Sequence, residues 1–136
     1  MKTLESFKYE YVTIHSVKEE AERWWKYSES DVKTAKYLFE GKKYKDASFY
    51  CQQAVEKALK ALLLKRGKKI IKVHDLVKLA KVLNLGEELI KDCERLSIVY
   101  IDTRYPDIGT KQYTKNETSE DIKIAKKVVK WIKKNL

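Results

Sequence analysis

Residues that interrupt helices are scarce in this chain. Its 136 residues include only four Gly and one Pro. Gly and Pro are the residues that most disfavour a helix interior, so their scarcity favours long helices. Hydrophobic residues make up 43% of the sequence, which is enough for one core in a domain of this length. We therefore expect a single all-α domain.

The first long helix is predicted to begin at Ser16, which forms a capping-box pattern with Glu19. Apolar residues then recur at spacings of three and four, and Gly41 is expected to end the helix in a left-handed conformation. Residues 1–15 alternate aromatic and polar positions, a pattern typical of an extended arm or a short strand. We therefore predict an N-terminal extension over residues 1–15 and a domain over residues 16–136.

The second helix, from about Tyr44 to Arg66, is expected at the centre of the fold. It carries one stripe of small residues and one of larger apolar residues, and a helix that is apolar on two sides packs on both. The small stripe is Ala47, Cys51, Ala54, Ala58 and Ala61, and the larger one is Val55, Leu59, Leu62 and Leu63. Gly67 is expected to end the helix. Its remaining face presents Gln53, Glu56, Lys57 and Lys60, which are neighbours in space at these spacings.

Three further helices follow in the pattern. A short helix covers about His74–Leu83, and a longer one covers about Glu87–Ile101. The last helix is expected to be capped by Thr118 with Asp121 and to run to the C-terminus with its lysines outward. Residues 102–117 form one long irregular segment, and such segments are often functional. The predicted fold is an all-α, antiparallel, up-and-down four-helix bundle with an additional short helix.

The charge balance is strongly basic. The formal net charge is +10, from 30 Lys and Arg against 20 Asp and Glu. This excess favours polyanionic partners such as nucleic acid. A composition rich in Lys and Glu also suits a protein adapted to high temperature. Both explanations stay open, because only the clustering of the charge can separate them.

The two cysteines and the termini indicate an intracellular setting. Cys51 and Cys93 lie in apolar helical stretches and form no short-spaced metal pattern with a histidine, so we expect buried thiols and no metal or other cofactor. No apolar run is long enough to cross a bilayer, and the first residues lack the apolar stretch of a secretion signal. We therefore expect a cytoplasmic protein without a membrane partner.

Four short motifs follow one another along the chain. They are Trp24-Trp25, the Gln-Gln-Ala-x-Glu-Lys-x-x-Lys segment of residues 52–60, His74-Asp75-Leu76, and Arg104-Tyr105-Pro106-Asp107. In this order and spacing they resemble the HEPN family (higher eukaryotes and prokaryotes nucleotide-binding) over roughly residues 20–136. The resemblance implies a bundle of four or five helices that usually dimerises and is often encoded beside a small nucleotidyltransferase. It also implies members that bind nucleotides or RNA and others that cut RNA.

The chain departs from the motif of the RNA-cutting members. Those members carry an Arg, then four to six residues and a His, often followed by one residue and a Tyr. Here Arg104 and Tyr113 occupy the outer positions, but Lys111 stands where the His is expected. Imidazole exchanges a proton near neutral pH, whereas an ordinary lysine, with a pKa of about 10.4, does so poorly. Ribonuclease activity would then require a perturbed Lys111 or the approach of His74 from another helix.

The candidate nucleotide- or RNA-binding residues come from these motifs and from the polar face of the second helix. They are Gln53, Glu56, Lys57, Lys60, His74, Arg104, Tyr105, Asp107, Lys111 and Tyr113. The polar face could be solvated, lie at a dimer seam, or form the floor of a cleft with Arg104. His74 could equally cap or join helices. Arg104 could pair with Asp107, or its guanidinium could bind phosphate.

The tyrosines have a similar pair of interpretations. Tyr105 and Tyr113 could stack on a base or simply pack, and the resemblance makes Tyr113 a candidate acceptor of nucleotidyl transfer. Together with its basic charge, the resemblance implies a dimeric module that binds nucleotide or RNA and accompanies a small nucleotidyltransferase in a toxin–antitoxin-like pair. The alternatives are a metal-independent ribonuclease toxin, using Arg104 with Lys111 or His74, and a non-catalytic dimerisation scaffold.

Overall fold

Four long helices and one short helix make up the part of the fold that the structure describes. The computed structural model describes the backbone of residues 4–105 and 111–136, with side chains from residue 16 onward. The helices are α1 (Leu4–Glu40), α2 (Tyr44–Lys65), α3 (Leu76–Val82), α4 (Glu87–Arg104) and α5 (Lys115–Asn135). No strand occurs in these two ranges. The predicted all-α bundle with an additional short helix is therefore confirmed.

Helix α2 lies at the centre and contacts each of the other four helices. Every residue of its two predicted apolar stripes is buried, because the stripes face different neighbours. Helices α1 and α2 run antiparallel and approach closely through small residues: the hydroxyl of Ser28 donates to the carbonyl oxygen of Ala54 at 2.6 Å in the interior. On the polar face of α2, Glu56 and Lys60 are buried, whereas Gln53 and Lys57 are half-buried.

The end of α1 differs from its prediction. The left-handed residue is Lys42, with φ of 62°, and not Gly41. The N–H groups of Lys42 and Lys43 donate to the carbonyls of Phe39 and Leu38, which satisfies two carbonyls at the helix end. The prediction for Gly41 is wrong by one position, because this pattern needs its left-handed residue just after the C-cap. Gly67 does end α2 in the left-handed conformation, with φ of 71°.

Two helix starts also differ. Helix α1 begins at Leu4, so the expected start at Ser16 is wrong, and the extended arm or strand is wrong for the described residues 4–15. No Gly or Pro precedes Ser16 in the sequence, and without a breaker a capping-box pattern is tolerated inside a helix. Whether residues 1–15 are separate from the domain stays a prediction.

The cap of α5 is Thr114, whose hydroxyl accepts from the N–H of Glu117 at 3.1 Å. Thr118, the predicted cap, is buried and donates to the carbonyl of Tyr44 instead. Helix α4 continues to Arg104 and α5 begins at Lys115, so fewer residues separate the two helices than predicted.

Both cysteines are buried free thiols, as expected. Burial raises the pKa of the Cys93 thiol to about 12 and raises that of Cys51 as well, so neither is a thiolate near neutral pH. Within the described ranges, no group of His, Cys, Asp and Glu side chains could hold a metal ion. In the same part of the chain, no helix combines the length and apolar character that a membrane crossing requires.

Candidate functional site

A buried carboxylate on α2 organises the first candidate region. Glu56 is only 4% exposed. One of its oxygens lies 2.9 Å from Nδ1 of His74 and accepts from the amide of Gln52 at 3.3 Å, while the other accepts from Nζ of Lys60 at 3.2 Å. A buried carboxylate is tolerated only where charge and hydrogen bonds replace water. We call Glu56, Gln52, Lys60 and His74 the Glu56 cluster.

Helix α1 covers the polar face of α2. The ammonium of Lys60 lies 5.3 Å from the ring centre of Trp24. Lys57 donates to Asp31 at 2.6 Å, and burial raises the pKa of that carboxyl in spite of the lysine. The amide of Gln53 donates to Gln52 at 2.7 Å. Because Glu56 and Lys60 are buried, a solvated face is excluded for these two side chains.

His74 joins the Glu56 cluster to the surface. The amide of Gln52 also donates to its backbone carbonyl at 3.2 Å, so α2 holds both the ring and the main chain of this residue. The ring does not cap α3, since the carboxylate of Asp75 accepts from the first amides of that helix. Instead it stacks on Tyr100 of α4, with ring centres 4.4 Å apart and planes 15° apart. The side chain of His74 remains 55% exposed.

Arg104 continues this arrangement at the end of α4. Its guanidinium carbon lies 5.3 Å from the ring centre of Phe49 and 5.9 Å from that of Tyr100. Contacts therefore run without a break from the exposed guanidinium through Tyr100 and His74 to buried Glu56. Beside the two rings lies a cavity of about 330 Å³, lined also by Asp75, Ser97, Ile98 and Ile101. We call His74, Tyr100, Arg104 and this cavity the His74 surface.

Two residues of the Arg-Tyr-Pro-Asp motif complete the description of this end of α4. Tyr105 follows directly and is 49% exposed. Asp107 lies outside the described residues, so its pairing with Arg104 stays a prediction.

Tyr113 marks a second region, between α4 and α5. Its hydroxyl donates to Asp102 at 3.3 Å, and burial together with this carboxylate raises the pKa of the phenol. The adjoining cavity measures about 510 Å³. A buried carboxylate again lies in its wall: Asp121 accepts from the hydroxyl of Ser48 at 2.8 Å and from Nε of Arg95 at 2.9 Å. We call this region the Tyr113 pocket.

Lys111, which stands in the place of the motif histidine, belongs to the Tyr113 pocket. Its ammonium lies 3.0 Å from a carboxylate oxygen of Glu117 and 5.1 Å from the Tyr113 ring centre. No hydrogen bond, ion pair or ring contact between described residues joins it to Arg104 or His74. The structure thus joins Glu56, Lys60, His74 and Arg104 in one arrangement and places Lys111 and Tyr113 in another.

The candidate set from the sequence omitted several side chains that build these regions. Gln52 and Glu56 are four residues apart on α2, a spacing that could have indicated their contact. Arg95, Asp102 and Asp121 had no such local signal, because their contacts join α4 with α5 or with the segment just before it.

Comparison with known proteins identifies the class. The model of the HEPN domain family matches residues 21–136. The chain belongs to the HEPN family, as the resemblance predicted.

Individual relatives agree with this assignment. The chain is 32% identical over 130 residues to a Methanocaldococcus jannaschii protein named "Putative toxin MJ1304", covering 79% of this chain and 82% of that protein. The crystal structure of TT1696 from Thermus thermophilus is similar with a TM-score of 0.79 and 28% identity, over 86% of this chain and 98% of that one. ST0689, described as an archaeal HEPN homologue, gives a TM-score of 0.75 and 30% identity, over 85% of this chain and 97% of that one.

Proposed function

We propose that this HEPN chain is a nucleotide- or RNA-binding module whose binding site is the His74 surface. The observation that carries the proposal is the exposed stack of His74 on Tyr100 beside the Arg104 guanidinium and a cavity of about 330 Å³. Aromatic and imidazole rings stack on bases that are not paired, and a guanidinium is the side chain best suited to phosphate. These chemistries lie within one cluster of contacts.

The anchoring of His74 supports this proposal. Its ring is fixed by Glu56 on one side and Tyr100 on the other, and its carbonyl is fixed by Gln52. A side chain that is already ordered loses less conformational freedom when a ligand binds. The buried Glu56 cluster would then have a role in binding although it is itself out of reach of a ligand.

The same part of α4 supports a homodimer. Ile98 is 60% exposed and Ile101 is 47% exposed, and both line the cavity of the His74 surface. Exposed apolar residues in a contiguous patch favour a protein interface. We propose that a second copy of the chain contacts these two residues, so that the ligand-binding cavity lies at the dimer interface.

The partner enzyme we propose is a small nucleotidyltransferase, with the pair acting in a toxin–antitoxin-like manner. The name of the Methanocaldococcus jannaschii relative supports the toxin-like part. Tyr113 is the proposed acceptor: its phenol oxygen would attack the α-phosphorus of a nucleoside triphosphate, release pyrophosphate, and lose its proton to a base such as Asp102. Mass spectrometry after coexpression with such an enzyme tests this step. Tyr113→Phe is the control and should stay unmodified, and a wild-type chain that also stayed unmodified would refute the step.

Binding at the His74 surface is tested by fluorescence anisotropy with a labelled single-stranded RNA. We expect Arg104→Ala and His74→Ala each to weaken binding about tenfold, in line with a loss of about 1–3 kcal/mol for a stacking or charged contact. Lys126→Ala is the control, because Lys126 is an exposed lysine on α5. Equal effects in the three variants would count against the proposed site.

One observation favours a ribonuclease as the second candidate. His74 and Arg104 both contact the ring of Tyr100, so a group able to exchange a proton lies near a group able to hold phosphate. Lys111 is less suitable, since it pairs with Glu117. The test is cleavage of single-stranded RNA and tRNA in the presence of a chelator. RNA that stays intact with the wild-type protein would eliminate this candidate.

A further inference from the structure

A cavity lined by lysines adjoins the Tyr113 pocket and shares Lys111 and Tyr113 with it. It measures about 470 Å³ and is formed where the turn between α1 and α2 meets the segment that leads into α5. Lys42, Lys43, Lys45 and Lys111 line it, and among the described residues Asp46 is the one carboxylate in its wall. We call this cavity the lysine pocket.

Three of the four lysines in the lysine pocket have no ion-pair partner among the described residues. Of its four lysines, Lys111 is paired with Glu117. The other three form no ion pair with any residue in the described part of the chain, whereas Lys57, Lys60 and Lys127 elsewhere each have a carboxylate partner. Like charges gathered in a concave site repel one another and concentrate the positive potential there. An anion that entered this cavity would relieve the repulsion.

The position of the pocket links it to the His74 surface. Lys45 and Phe49 are four residues apart on α2, so they lie on the same face, about 6 Å apart along the axis. Phe49 contacts the guanidinium of Arg104. Positive groups therefore continue from the lysine pocket to the His74 surface within about one helical turn.

We propose that the lysine pocket is a phosphate-binding subsite. Its ligand is a phosphate ester, carried either by an RNA strand or by a free nucleotide. Lysine ammonium groups bind phosphate as point charges and without sequence preference. The ligand class rests on the nucleotide or RNA binding proposed above, but the pocket itself is defined by residues that the His74 surface does not use.

Direct mapping with inorganic pyrophosphate tests the pocket independently of that function. Amide chemical shifts of the isotopically labelled full chain are followed by NMR as pyrophosphate is added. We expect the largest shifts at residues 42–46 and 111–113. Shifts spread evenly over exposed lysines, including those of α5, would overturn the proposal, as would no shift in the pocket.

A pair of matched double variants tests the link to RNA. Lys43→Ala/Lys45→Ala removes two charges from the pocket, and Lys126→Ala/Lys130→Ala removes two exposed charges from α5. We expect only the first to weaken single-stranded RNA binding about tenfold and to lower the slope of log affinity against log salt by about 1.4, since each phosphate contact contributes about 0.7. Equal losses in both double variants would mean that net charge alone matters and would refute the subsite.

The source of the phosphate is distinguished by two ligands. An RNA oligonucleotide without terminal phosphates and ATP are titrated against the same double variants. If Lys43→Ala/Lys45→Ala loses affinity for the RNA alone, the pocket binds the phosphate of a strand. If it loses affinity for ATP alone, the pocket binds the phosphate of a free nucleotide. A different result would refute the proposed binding site at the His74 surface. In that case Arg104→Ala would keep wild-type RNA affinity, while pyrophosphate would still shift the amide signals of the lysine pocket.

Discussion

The Glu56 cluster and the Tyr113 pocket are both built around a buried carboxylate, but the two acids have different cations. The side chains of Glu56 and Asp121 are 5% and 4% exposed. The partner of Glu56 is Lys60, whose side chain is only 7% exposed, whereas the partner of Asp121 is Arg95, which is 44% exposed. A buried cation cannot return to water when its acid is lost, and an exposed one can. The first region should therefore be rigid, and the second should tolerate change.

The largest expected loss of folding stability is that of Glu56→Ala. Removal of this carboxylate leaves Lys60 buried without its acid, and breaking a buried pair in this way costs about 3–5 kcal/mol. Urea unfolding followed by circular dichroism measures the change. The double variant Glu56→Leu/Lys60→Met is the control and should lose less, because neither charge remains. A cost below about 1 kcal/mol for Glu56→Ala would contradict the proposed difference between the Glu56 cluster and the Tyr113 pocket.

A smaller loss of folding stability is expected for Asp121→Ala. The hydroxyl of Ser48 loses one of its partners but keeps Thr118 at 2.9 Å, and the guanidinium of Arg95 can turn toward solvent. A cost of about 1–3 kcal/mol is typical of such a loss. The same urea experiment compares it with Glu56→Ala. If the two variants proved equally unstable, the exposure of the cation would not be what distinguishes the regions.

A pH-dependent effect smaller than either is expected at Asp31, which lies beside Lys57. Burial is the larger influence and raises the pKa of this carboxyl above 3.8 in the folded chain. The protonated form is thus favoured by folding, and its contribution to stability is present below the unfolded pKa and lost as pH rises through the raised value.

The measurement for Asp31 is the free energy of unfolding of the wild type minus that of Asp31→Asn, from about pH 3 to pH 7. This difference should fall as pH rises through that window. A difference that rose instead would show that the ion pair with Lys57 outweighs burial.

The smallest effect on stability is expected for Lys111→Ala. Lys111 and Glu117 are 50% and 41% exposed, and an exposed pair contributes about 0–1 kcal/mol. The thermal midpoint should stay close to that of the wild type, while binding to the lysine pocket should weaken. A large loss of stability would place Lys111 among the structural residues and remove it from the proposed subsite.

The sequence predicted what depends on local pattern. The two stripes of α2 and the left-handed Gly67 follow from spacing and from the conformational freedom of glycine, and both are confirmed. The cap of α5 shows where local pattern fails. Thr114 and Thr118 each precede an acidic residue by three positions, and only the burial of Thr118 against Tyr44 and Ser48 decides between them.

The candidate site could be predicted from the sequence only in part. His74, Arg104 and Glu56 could be selected by motif, but their arrangement depends on how the loop after α2 returns across that helix. The stacking of His74 on Tyr100 joins positions 26 residues apart and has no local signal. The same holds for the lysine pocket, whose two segments are distant in sequence and meet only through packing of α5 against α2.

The close antiparallel pairing of α1 and α2 also has a consequence for the order of folding. The two helices are adjacent in the chain and joined by residues 41–43 alone, so their contacts close a short loop and should form early. Ala54→Gly, at the α1–α2 contact, should then slow folding, whereas Val128→Ala in α5 should mainly speed unfolding. In stopped-flow experiments this order would appear as a hairpin that forms before His74 and α5 dock, so that the proposed binding surfaces are completed last.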